Sequence, residues 1–138
     1  MQFQKVSNRL SVLISTGLAL LSSALLGQGA DIFYTGAGNN NRWDYAANWN
    51  GGTIPNDSRT GAAFNREGTQ VALDSSTSAL CRGFMLGMYG KTNSATVKGG
   101  LLECTWLDVG RCDQNGGNGT LTISGGEIRI ANYLNIPT

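Results

Sequence analysis

The chain has 138 residues, enough for one domain, and no histidine, which removes the commonest general base and the commonest metal ligand together. Charged residues make up 14% and glycine fills 20 positions, a composition that favours turns and short strands over amphipathic helices. Without its first thirty residues the chain would keep eight Lys and Arg against nine Asp and Glu, which leaves no basic footprint for nucleic acid.

Those first thirty residues differ from the rest. Lys5 and Arg9 lead into an uncharged apolar run from Val12 to Leu26, and "GQGA" follows. A positive end, a short apolar core and a small-residue cut site are the layout of a secretory signal peptide, cut after Gly29 or Ala30. The alternative is an uncleaved anchor, for which the run is short. The expectation is a signal peptide over 1–30, with membrane contact limited to that segment during export.

Residues 31–68 form an N-terminal cap region. They hold Trp43 and Trp49 with Tyr45 between, and Gly51, Gly52 and Pro55 close the stretch with a turn. Bulky aromatics suit the plugging of an open end, since terminal repeats are commonly atypical. The competing reading is a carbohydrate-binding platform in which Trp43, Tyr45 and Trp49 stack on sugar rings.

From 69 to 138 the chain repeats. Leu121/Ile123, Ile128/Ile130 and Leu134/Ile136 are three short strands, each showing two side chains to one face. Ala95/Val97 and Leu102/Cys104 precede the first two pairs by an identical step, and Leu107/Val109 precede the third by a step one longer. A further, slightly shorter step back reaches Val71/Leu73, Ala79/Cys81 and Phe84/Leu86. Three turns of three strands are what a parallel β-solenoid requires, with turns stacked about 4.8 Å apart around one interior column. A β-sandwich of hairpins also shows short alternating strands, but it does not require one offset to hold at all six positions. The length differences are assigned to the connections between strands.

Cys81 and Cys104 fall at equivalent positions on neighbouring turns, within reach of a disulfide. Stacked thiols acting as small apolar residues are the other reading, because adjacent parallel positions rarely allow the torsion. Cys112 is the odd one, in the long connection.

Candidate chemistry is sparse. "GGNGTLTIS" approaches a calcium-binding nonapeptide, but Leu121 stands where that motif needs aspartate. The same run lacks the lysine and the strand-then-helix context of a phosphate loop. Asp108, Arg111 and Asp113 share a corner, either as a solvated turn or as part of a polysaccharide lyase or hydrolase site. The alternation points Asp108 outward. Asn56-Asp57-Ser58 and Asn118-Gly119-Thr120 match glycosylation acceptors. No motif requires a cofactor or a metal.

"WDYAANWNGGTIP", followed by "GNGTLTISGG" and "LNI", resembles the secreted repeat proteins of Gram-negative bacteria, namely autotransporter-associated β-strand-repeat proteins and PEP-CTERM-type surface proteins. The resemblance covers most of 31–138. It implies an exported right-handed β-helix, often a stalk or passenger at the cell surface. The chain is much shorter than that pattern and carries neither a C-terminal barrel nor a sorting tail. It stops as a turn is completed, which suggests a fragment, a truncated frame or a subunit whose last turn a partner covers.

The combined expectation is an all-β chain, a right-handed parallel β-helix of about three turns with an aromatic N-terminal cap. Its expected role is a secreted, structural or adhesin-like protein of the bacterial surface, without catalysis. Its expected partners are a cell-surface polysaccharide or a second copy meeting its open C-terminal turn. The alternative is a carbohydrate-binding module or part of a lyase or hydrolase.

Overall fold

The computed structural model describes residues 29–110 and 115–136. Of the expected signal peptide all but Gly29 and Ala30 lies outside the described residues, as do Arg111, Cys112 and Asp113. The described residues contain no α-helix. They form eight strands: β1 (Ile32–Phe33), β2 (Ala62–Ala63), β3 (Gln70–Leu73), β4 (Ser78–Leu86), β5 (Thr92–Val97), β6 (Leu101–Val109), β7 (Asn118–Ile123) and β8 (Glu127–Asn135).

Every pairing between these strands is parallel. One sheet runs β1-β2-β4-β6-β8 and the other β3-β5-β7, so successive turns lie directly over one another as a β-solenoid of about four turns. The registers reproduce the offsets in the sequence. Val71, Ala95 and Leu121 are partners, as are Leu73, Val97 and Ile123. Ala79, Leu102 and Ile128 form a column, beside Cys81, Cys104 and Ile130 and beside Phe84, Leu107 and Leu134.

Two details differ from the sequence reading. The second and third strands of each turn are one continuous strand, β4, β6 and β8. In β4 the inward residues are Ala79, Cys81, Phe84 and Leu86, so two successive residues between Cys81 and Phe84 leave the interior alternation. The strand bends there without losing its neighbours and lines two walls of the coil. The longer step from Leu107 to Leu134 is likewise not in a connection. Cys104 pairs with Ile130 but Trp106 with Tyr133, so β8 carries one extra residue, a β-bulge.

The corner between the sheets shows why glycine recurs. Gly100 and Gly126 both have left-handed backbones, with φ of +73° and +76°. A Cβ at Gly100 would collide with the Thr77 carbonyl of the turn below, and at Gly126 it would press on Gly100 in the same way. At the opposite corner the buried Asn93 amide donates to the Phe64 carbonyl, and its oxygen accepts from Gly87 N–H, both at 2.8 Å. A side-chain amide there satisfies backbone groups that no strand reaches.

The first end of the coil is closed. β1 and β2 lie within the cap region, yet they pair as two further rungs, Ile32 on Ala62 on Phe84, which is why the coil exceeds three turns. Arg42 bridges Ala72 on the edge of β3, and Asn56 bridges Leu80 on the edge of β4. Inside, Tyr34, Trp43, Trp49, Phe64 and Phe84 form a continuous aromatic plug with ring centroids 4.7 to 5.9 Å apart.

The other end is open among the described residues. Ile123, Leu134 and Ile136 belong to the interior columns by sequence, yet they are exposed, Ile136 at 61%. β7 and β8 each have a neighbour on one side only.

Candidate functional site

Trp43 and Trp49 are each only 2% exposed, and neither indole offers a face to a sugar. They meet edge to face at 4.7 Å, and Trp49 Nε1 donates to the Trp43 carbonyl at 2.7 Å. This pair is the floor of the plug, in place of the carbohydrate platform considered from the sequence. Tyr45 is 45% exposed but makes none of the plug's ring contacts. The residue that the sequence reading passed over is Asn48. Fully buried, it donates to Asn40 Oδ1 and the Arg42 carbonyl and accepts from Gly38 N–H, at 2.7 to 2.9 Å. Its place directly before Trp49 was the available signal, because a polar residue between core aromatics needs internal partners.

Cys81 and Cys104 are partners on adjacent strands, and both are free, buried thiols, so the disulfide considered from the sequence is not formed. Burial pushes the Cys104 thiol up to about 12, with the Glu103 carboxylate adding to the rise. Burial likewise holds the Cys81 thiol well above its usual value, with Cys104 as the lesser cause. Such thiols stay protonated and unreactive, which is the behaviour of core residues.

Asp108 is not the open, solvated residue that alternation suggests. It points away from the coil interior, between Leu107 and Val109, yet it is only 6% exposed. Loss of water raises its carboxyl above the ordinary aspartate value, and a side-chain hydrogen bond with Asn135 partly offsets that. Its register partners are Met85 and Asn135, so neither neighbouring strand sets a carboxylate against it.

The same outer wall carries an aromatic column. Gly83, Trp106 and Tyr133 are in register, and the benzo ring of Trp106 lies where a side chain on Gly83 would stand. Trp106 and Tyr133 are parallel within 4°, with centroids 6.1 Å apart. Trp106 also packs on a small outer cluster of Ala63, Met85 and Met88. Carrying the two steps of the Phe84–Leu107–Leu134 column over to the outward positions aligns these three in the sequence.

A polar groove of about 210 Å³ lies on the other sheet, between the cap loop and the first turn, with Asn41, Arg42, Gln70, Asp74, Thr96 and Lys98 on its walls. Arg42 is held by both oxygens of Asp44, at 2.8 and 2.7 Å. Among the described residues no group of three or more His, Cys, Asp or Glu could hold a metal ion, and no helix is long and apolar enough to cross a membrane. Comparison with family models, with curated proteins and with solved structures returns no match for this chain.

Proposed function

We propose that the chain is an exported, non-catalytic β-solenoid that serves as a structural or adhesin-like element of the bacterial surface. The observation that carries this reading is the inequality of its two ends. The first is sealed by the aromatic plug and by backbone bridges from Arg42 and Asn56. Among the described residues, the last presents two unpaired strand edges and the apolar side chains of Ile123, Leu134 and Ile136. An open edge over an uncovered apolar column is a template for another strand. That edge supports assembly with a second coil.

The last turn, with its longer free edges, is the favoured contact in such an assembly. A copy adding at the last turn finds no edge of matching length on the sealed first turn, so two copies join last turn to last turn about a two-fold axis. Joined in this way, the pair buries both open ends and stops growing.

Export rests on the charged, apolar and small-residue layout of 1–30. Expression of the full chain in a Gram-negative host tests it. The reading expects a product outside the cytoplasm whose first residue is Ala30 or Asp31, and a full-length product retained inside would contradict it.

A further inference from the structure

The outer aromatic column has a geometry that burial of the core does not require. Trp106 rests one face on the bare backbone of Gly83, which holds it flat against the sheet. The 6.1 Å separation from Tyr133 exceeds the contact distance of about 3.5–4.0 Å between stacked carbons, so the two parallel rings are offset and neither eclipses the other. Tyr133 remains 47% exposed. On one side of the rings stand Asp108 and Asn135, a register pair joined by a hydrogen bond. On the other side Arg129 is shared between Glu127 at 2.8 Å and Glu103 at 3.9 Å.

We propose that Trp106 and Tyr133 are a docking platform for a neutral, equatorially substituted glycan of the β-1,4-glucan type, with the exposed Asn135 as its polar rim. Such a sugar has two C–H-rich faces, whose positive hydrogens suit the negative face of an aromatic ring. Its hydroxyls radiate sideways, towards the exposed amide of Asn135, which its hydrogen bond with Asp108 holds in place. Two rings already parallel need little ordering on binding, which is where flexible sites lose affinity. Charge selects among sugars. Glu103 and Glu127 flank a single Arg129, which leaves this side of the rings net negative, so it repels uronate polymers and accepts neutral ones. The proposal deepens the adhesin-like reading by naming its ligand and moves the sugar site from the plug to the outer wall.

Titration of the chain from Asp31 onward with cellohexaose, followed by tryptophan emission, tests it. Trp43 and Trp49 are buried, so a change on binding reports Trp106. The proposal expects a saturable change, weakened about tenfold in Tyr133→Ala and nearly unchanged in Tyr133→Phe, which keeps the ring. Asn135→Ala, which leaves both rings in place, is expected to weaken binding about threefold to tenfold through the lost rim bond. No saturable change, equal affinity in Tyr133→Ala, or tighter binding of hexagalacturonate than of cellohexaose would each overturn it. Assembly is read separately by sedimentation, so a failure here leaves the end-to-end reading intact, and a monomeric chain leaves this one intact.

Discussion

Tyr34 sits in the aromatic plug with its hydroxyl buried and without a hydrogen-bond partner, and desolvation pushes its pKa up to about 12. Leaving such a group unsatisfied costs about 1–3 kcal/mol, so Tyr34→Phe is expected to raise the stability by about 1 kcal/mol in urea unfolding. A loss of stability would mean that the hydroxyl has a partner. The two core thiols set a pH dependence of a definite sign. Their folded pKa values lie above the unfolded thiol value of about 8.5, so above that pH the unfolded chain releases protons that the folded chain keeps. Their contribution is complete below about pH 8.5 and falls as pH rises towards 12, by up to about 1.4 kcal/mol per pH unit for each thiol. Unfolding measured between about pH 8 and 10.5 should show this slope, shallower in Cys104→Ala. At this scale the sequence was legible where a residue's neighbours repeat. The direction of Asp108 followed from alternation, but alternation does not say what covers an outward face, and the carboxyl proved almost enclosed. Trp43 and Trp49 face inward behind a loop in which Asn39 and Asn41 both have positive φ, a turn that composition alone does not disclose.

The columns were the readable elements. Their members recur at closely similar offsets, as in Ala79, Leu102 and Ile128, and each one in the middle turns is buried because a rung lies on either side of it. The offsets could not separate an insertion in a loop from one inside a strand, since both shift the count equally, and the bulge in β8 was assigned to a connection for that reason. β1 and β2 were missed on other grounds: strands of two residues carry no alternation to detect, and Ala62 and Ala63 are both buried. The Phe84–Leu107–Leu134 column also provides an internal control. Leu107 is fully buried while Leu134 is 46% exposed, although both occupy one register. In the monomer, at concentrations too low for association, Leu107→Ala should therefore cost about 2–5 kcal/mol, and Leu134→Ala less than about 1 kcal/mol. Equal losses in denaturant unfolding at those concentrations would contradict the exposure of the last rung in the single chain.

At the scale of the whole coil, one end is sealed by aromatic rings and the other is open among the described residues. Its interior is closed below by aromatic rings, and two backbone bridges fold over the edges of β3 and β4, so growth in that direction is less favoured. Above, Ile123, Leu134 and Ile136 remain in water beside free strand edges. This inequality was only half visible in the sequence. The aromatic run announced a cap, but the backbone bridges from Arg42 and Asn56 depend on loops folding back over strand edges, and no periodicity encodes that. Sedimentation equilibrium of the chain from Asp31 onward, over a wide range of concentration, is the most direct measurement. The account predicts a reversible monomer–dimer equilibrium that stops at two and shifts to monomer in Leu134→Glu/Ile136→Glu. A wild-type chain that stays monomeric throughout, or one that grows into open-ended polymers, would contradict it.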